Sequence, residues 1–454
     1  MNALLPEYQV SEPTWFYLSF LLIVAVFFKF NRLWSLRNLD LALLLAVAPG
    51  LLFVRTHPTL GYSWLFACSA ALLIRTLLDG AIVRRPRLDS NMNAAGMTFL
   101  CAASFAFLMT KVMTDPPEQQ AIQTVGRANQ LLQRRADEPT QSVPKSAIEP
   151  GPASQMLAAG VTAISKVAST HETQEADFQV IAARTLAILA HLAVTLGLVY
   201  VGKSLFNDLE TGLAMATLYM LLPCTAYYVG KATHVLPAAL IIWAIGVYRQ
   251  PVIAGVLLGL ASGTMFFPVF LLPLWIVFYG KRGGLQFVAA VACVAAAILG
   301  SLALVSADSH SFLQKTFGYL DLAKLQFRMV DLASDATQGF WHEHQTVYRI
   351  PVFVAFLVMM LALAIWPTKK SMSQVISHSA AIVLGIQFWF PQQGGVYVLW
   401  YLPLLLLVAF RPMMSNHYAP DVTHLSWSRK AQAAKGGVTS SAVTSAMMGR
   451  PAFK

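Results

Sequence analysis

Apolar runs of about 16 to 25 residues recur from position 14 to position 410, separated mostly by short polar turns. In hydrocarbon such a run must satisfy its own backbone hydrogen bonds, and a helix rising 1.5 Å per residue needs ~20 residues to cross. The pattern predicts an all-α, polytopic transmembrane helical bundle of about 12–13 spans. Spans are expected at 39–54, 61–78, 94–113, 180–201, 213–224 and 235–247. The first apolar run follows MNALLPEYQVSEPTW, which has Glu7 and Glu12 but no Lys or Arg, so it reads as a retained anchor and not a signal peptide.

One stretch decides the topology. Between Arg249 and Lys281 the chain reads QPVIAGVLLGLASGTMFFPVFLLPLWIVFYG, without a charged side chain. Basic loops are retained in the cytoplasm, and Lys29, Arg32 and Arg37 after the first run place the N-terminus outside. Taken as one span, the stretch would put Lys281, Arg282, Lys369, Lys370 and the basic tail outside. Taken as two short spans turning near 262–264, it returns those clusters to the cytoplasm, where the preceding spans already place Arg84, Arg85 and Arg87. The hairpin is therefore expected, with the C-terminus cytoplasmic. Its turn would lie below the outer surface, where polar backbone is tolerated only inside protein or beside a water-filled cavity.

Four regions follow: an N-terminal four-span region at 1–113, a large extracytoplasmic loop at 114–179, a transmembrane core at 180–410 with a second outer loop at 306–349, and a basic cytoplasmic tail at 411–454. The tail is rich in Ser, Ala and Gly and lacks an apolar period, which predicts disorder. In the first outer loop, AIQTVGRANQLLQRR sets Ile122, Val125 and Leu132 on one helical face, and QMLAAGVTAISKV does the same with Leu157, Val161 and Ile164. Both fit helices in the membrane interface or weakly helical pieces of a loop.

Composition agrees with a cell-membrane, multi-pass protein. The chain is 57% hydrophobic and 12% charged, against roughly 25% charged for an average soluble domain. The net charge of +11 comes from Lys and Arg in loops between spans, so it indicates topology and not nucleic acid. Cys68, Cys101, Cys224 and Cys293 lie in or at the edge of apolar runs without metal-ligand spacing, as small packing residues do. HEH at 342–344 lacks helical ligand spacing, and no metal is assigned. No P-loop, dinucleotide fingerprint, HExxH or GxSxG occurs, and no cofactor is named by the sequence.

Several polar residues fall near expected outer ends. Asp115, in KVMTDPPEQQ, sits just outside a span, with Glu118 one turn on. Lys111, Lys231 and Arg349 lie at comparable positions, where each also suits a snorkelling anchor. Arg184 and His191 share one face of the span after the loop. Charged residues within spans usually face a cavity or the bundle interior, although an interfacial Arg184 and a neutral core His191 fit equally. His234, in GKATHV, is a further cavity candidate.

The stretches VIAARTLAILAHLAVTLGLVYVGKSLF, LPCTAYYVGKATHVLPAALIIWAIGVYR and AGVLLGLASGTMFFPVFLLPLWIVFYGKR, with FWFPQQGGVYVLWYLPLLLLVAFRP near the C-terminus, together resemble the GT-C superfamily of integral membrane glycosyltransferases over roughly 178–411. Thr264, Met265, Phe266 and Phe267 stand where that family often has a Lys, and the acidic loop follows the fourth span instead of the first. The resemblance implies sugar transfer from a lipid-linked phosphate donor at the outer face. Asp115 would be the base, with Glu118 the neighbouring catalytic carboxylate, and Lys231, Arg349 and Arg184 the phosphate partners. A lipid or solute transporter and a non-catalytic scaffold of the same fold are the alternatives.

Overall fold

The computed structural model describes residues 12–82, 90–133, 150–168, 175–305, 339–343, 348–390, 394–414 and 417–420. The cluster at Arg84, Arg85 and Arg87, position 344, most of the second polar loop and most of the tail lie outside them. Among the described residues every regular element is helical. In chain order these are α1 (Glu12–Phe27), α2 (Leu36–Thr56), α3 (Pro58–Leu77), α4 (Ala94–Thr114), α5 (Gln119–Gln133), α6 (Pro152–Ala168), α7 (Glu175–Ser204), α8 (Leu209–Leu221) and α9 (Pro223–Tyr227). They continue with α10 (Ala232–Gly246), α11 (Pro251–Thr264), α12 (Leu272–Val305), α13 (Phe340–Glu343), α14 (Arg349–Ile365), α15 (Met372–Trp389) and α16 (Val398–Phe410).

Among the described residues five helices are long and apolar enough to cross a membrane: Leu36–Thr56, Pro58–Ala81, Ala94–Thr114, Asp177–Ser204 and Gly283–Ala303. Other apolar runs fold as shorter helices because proline and polar caps cut them. Pro223 stops α8 and opens the five-residue α9, and Pro251 starts α11 at its first turn. Ser35, Asn93 and Asp208 cap α2, α4 and α8 through side-chain oxygens that accept backbone N–H groups.

The stretch between Arg249 and Lys281 is two legs. The α11 helix ends at Thr264, a 3-10 turn spans Phe267–Leu271, and α12 starts back. The Tyr279 hydroxyl donates to the Tyr248 carbonyl at 2.7 Å, so the return leg finishes level with the residues preceding α11. At Gly280 φ is +49°, a left-handed conformation that glycine adopts without steric cost, and the chain reverses again. The remainder of α12 then runs parallel to α11. Gly255 faces Phe287 and Ala290, Gly259 faces Val291 and Val294, and Gly263 faces Ile298. The hairpin tip is buried in protein, and the Gly151 N–H donates to the Thr264 carbonyl at 2.7 Å.

Both loop segments read as weakly amphipathic are helices with packed faces. The α5 and α6 helices pack on each other and on α7, and α6 also meets α11 and α12. The expected faces are packed in part: Val125 is buried and Ile122 and Val161 pack against the core, but small residues complete the buried stripes. Ala121, Val125 and Ala128 are buried on α5, and Ala158 and Thr162 on α6, whereas Leu132 is 46% and Ile164 69% exposed. Small residues let these helices approach closely, so alanine spacing outweighs the larger side chains.

The N-terminal helices are built into the bundle. The α3 helix packs along α15, and an ion network ties the same end together. Arg75 holds Asp40 through two bonds of 2.6 and 2.9 Å and Asp79 at 3.0 Å, while Asp79 also accepts from Ser377 and Arg411. All five side chains are buried. Charges inside apolar helices are costly unless paired, and here the pairing joins α2, α3, α15 and the residue after α16. The α2 helix runs from this end to Arg55, whose guanidinium lies 4.9 Å over the Tyr227 ring near the opposite end.

Candidate functional site

At that opposite end the turns after α4 and α9 meet α7. The α4 helix stops at Thr114 because Pro116 and Pro117 cannot continue it, and Asp115 closes its last turn by donating its N–H to the Lys111 carbonyl at 2.9 Å. Three residues after Asp115 the Glu118 carbonyl accepts the Ala121 and Ile122 N–H groups and opens α5. The chain leaves α9 through Val229 and Gly230 to Lys231, which precedes α10. The α7 helix passes behind with Arg184 between Ala183 and Ala187, and the small alanines leave room for the cavity.

The result is a cavity of about 180 Å³ lined by Lys111, Asp115, Glu118, Arg184, Tyr228 and Lys231, among others. Lys111 Nζ lies 3.9 Å from Asp115 Oδ2, and Lys231 Nζ lies 3.8 Å from Glu118 Oε1. Both separations exceed hydrogen-bond length, so each lysine attracts its carboxylate without being closed onto it. Lys111 also donates to the Ala226 carbonyl at 3.1 Å, and Lys231 stands 4.9 Å over the Tyr228 ring. Arg184 Nη2 donates to the Asp115 carbonyl at 3.1 Å.

Among the described residues, two buried polar atoms here lack a hydrogen-bond partner: Glu118 Oε2 and Arg184 Nε. Buried polar atoms are nearly always paired, so an orphan acceptor and an orphan donor on one cavity mark it as a place for a polar ligand. The two carboxylates differ. The Asp115 side chain is 54% exposed and that of Glu118 is 20% exposed. Burial pushes the Glu118 carboxyl above the usual carboxylate range, and the nearby Lys231 charge pulls it part of the way back.

The histidines lie deeper. His191 Nε2 is 3.0 Å from the Val229 carbonyl, which can only accept, so that nitrogen carries the proton; Nδ1 then accepts from the Tyr219 hydroxyl at 3.0 Å. Neutral His191 thus fixes Val229 in the cavity wall without reaching the cavity. The Trp400 indole N–H donates to His234 Nδ1 at 2.9 Å, and the His234 ring stacks with Tyr397. His234 borders a narrow space beside the cavity, shared with Tyr228, Lys231 and Tyr397.

Thus Asp115, Glu118, Arg184 and Lys231 converge, and Lys111 joins them. Arg349 does not line this cavity: it opens α14, is buried, and donates through Nε to the Trp389 carbonyl at 3.1 Å. A position near the end of an apolar run specifies depth in the bundle, not which neighbours a side chain meets, and Arg349 is drawn to a helix-end carbonyl. Sequence reasoning missed the contributions of Tyr227 and Tyr228, and the ion network at the far end. For that network the signal was present, since Asp40, Arg75 and Asp79 interrupt apolar segments and Arg75 and Asp79 are one helical turn apart. Cys68, Cys101 and Cys224 are buried and Cys293 exposed, all as free thiols, and among the described residues no cluster could hold a metal ion.

Neither a protein-family model nor a curated protein matches the chain.

Proposed function

We propose that the chain is a multi-pass cell-membrane protein, N-terminus outside and C-terminus cytoplasmic, that transfers a sugar from a lipid-linked phosphate at the outer face, in the manner of the GT-C superfamily its sequence resembles. The short helices cross together with the five long ones. The observation that carries the reading is one cavity, at the end opposite the buried ion network, with three cations, two carboxylates and an orphaned carboxylate oxygen.

The chemistry suits these groups. Lys111, Lys231 and Arg184 neutralise the phosphate as its bond to the anomeric carbon breaks, which a water-poor site makes effective. An acceptor hydroxyl attacks that carbon and gives its proton to a carboxylate, while the lipid phosphate departs with the bonding electrons. Glu118 fits the base better than Asp115, because desolvation moves a carboxyl toward the working pH of a general base. A cavity of about 180 Å³ takes a phosphate and its immediate attachments, not a whole donor.

A second reading, a lipid-phosphate-binding scaffold without turnover, is favoured by the placement of both carboxylates opposite lysines, where the site partly neutralises itself. Transfer assays with purified protein and polyprenyl-phosphate sugars separate the two. Glu118→Gln is expected to abolish transfer and keep donor binding, with Asp115→Asn retaining part of the rate. Full activity of Glu118→Gln moves the base elsewhere. Donor binding without turnover in the wild type selects the scaffold.

A further inference from the structure

Beside the polar cavity lies an apolar groove of about 470 Å³ between α1 and α2. Phe16, Phe20 and Phe28 on one side and Leu45, Pro49 and Phe53 on the other line it, and Ala42 and Ala46, one turn apart, keep it open. The volume is that of a ligand pocket, within the usual range of roughly 300–1,000 Å³. Its position relative to the cations gives it meaning. Pro223 lines the groove and Tyr227 lines the cavity, so the five-residue α9 is the partition between them. Phe16 meets the Tyr227 ring edge-on at 6.2 Å, and the Arg55 guanidinium covers that same ring at 4.9 Å. One end of the groove therefore opens beside Arg55 and the cationic cavity. The other ends at Asn38, whose amide is engaged by the Lys29, Arg32 and Leu33 carbonyls.

We infer that this groove holds the single hydrocarbon chain of an amphiphile whose phosphate occupies the neighbouring cavity. The inference rests on the cavity's being a lipid-phosphate site, as proposed above, and adds where the chain runs and how long it is. From Asn38 to Phe53 the groove follows fifteen residues of α2, about 22 Å at the helical rise. One leaflet of a ~30 Å hydrocarbon core is ~15 Å deep. A chain filling the groove from the outer face thus passes the bilayer midplane, which selects chains longer than those of ordinary leaflet lipids. Helices α1 and α2 lie outside the segment with glycosyltransferase resemblance, and on this account they measure the donor's tail.

The test is a binding series of straight-chain alkyl phosphates of increasing length, using the full chain in detergent. Affinity is expected to keep rising past the length of one leaflet. Ala42→Phe with Ala46→Phe is expected to remove about tenfold of that gain, the effect of filling an apolar space, while short-chain affinity stays unchanged. A gain that persists in the filled variant overturns the inference. Because substitution can disturb the bundle, a second measurement uses wild-type chain and an alkyl phosphate with a photoreactive group at the far end of its tail. Cross-links are expected within α1 and α2 and are expected to disappear in Lys231→Ala. Cross-links elsewhere, or insensitivity to Lys231→Ala, identify ordinary lipid contact and overturn it. A wild type that binds short and long phosphates with one affinity sinks the groove alone, and one that binds neither sinks the cavity reading.

Discussion

Lys231 Nζ stands 3.8 Å from Glu118 Oε1, joining the turn before α10 to the turn before α5. The pair fixes the sign of a pH effect on stability. Burial raises the Glu118 carboxyl in the folded protein above its unfolded value, so between those two values the folded state binds more protons. Stability then falls as pH rises through that window and stays reduced above it. Glu118→Gln is expected to flatten this part of the profile and to melt no lower than wild type at neutral pH. Thermal unfolding in detergent across a pH series reads the difference. Lys231→Met removes the opposing charge and is expected to shift the fall to higher pH.

The glycine face of α11 offers a packing test. A Cβ at Gly255 would come within 2.7 Å of the Phe287 carbonyl oxygen, and one at Gly259 within 3.2 Å of Val294, whereas one at Gly300 meets nothing within 4 Å. Gly255→Leu and Gly259→Leu are expected to cost about 1–3 kcal/mol each, typical of overpacking. Gly300→Ala is expected to leave the detergent melting temperature unchanged. Equal melting of all three variants would mean that this face does not pack on α12.

At the far end, Asp79 accepts from Arg75, Arg411 and Ser377 at once. Asp79→Ala leaves two guanidinium groups buried without it, and breaking a buried ion pair on one side costs about 3–5 kcal/mol. Asp40→Ala, which leaves the Arg75–Asp79 pair in place, is expected to cost less. Unfolding of the two variants gives the order directly, and the reverse order would remove Asp79 from the centre of the network.

Sidedness follows from the two polar ends. On the proposed topology Gly284, just after the return leg, belongs to the cytoplasmic end, and exposed Asp177, near the start of α7, to the outer end. In intact cells a cysteine at Asp177 is expected to react with a membrane-impermeant thiol reagent, and one at Gly284 to be shielded. The opposite labelling would invert the topology.

Much of this architecture was legible in the chain because bilayer constraints act locally. Apolar length and basic loops pointed to most helices and to the turn near Thr264 without any knowledge of neighbours. The convergence of Asp115, Glu118, Arg184 and Lys231 was legible only as common depth. Which residues touch depends on helix rotation and order, so Arg349 was placed at the right level and against the wrong partners. The faces of α5 and α6 were legible in part, for a related reason: Ile122, Val125 and Val161 pack as their spacing suggests, whereas Leu132 and Ile164 are exposed because close helix approach is governed by Ala121, Ala128 and Ala158, which contribute little to the apparent stripe.

The most direct measurement is equilibrium binding of a short-chain lipid phosphate to the purified wild type and to Lys231→Ala. Lys231 is half-buried in the cavity wall and, held 3.8 Å from Glu118, can turn to a phosphate oxygen without losing a closed hydrogen bond. Loss of a charge-assisted contact of this kind costs about 1.5–3 kcal/mol. Binding by the wild type, weakened roughly tenfold to a hundredfold in Lys231→Ala, is the expected result. Equal affinities, or no binding by the wild type, would contradict a lipid-phosphate site at this cavity.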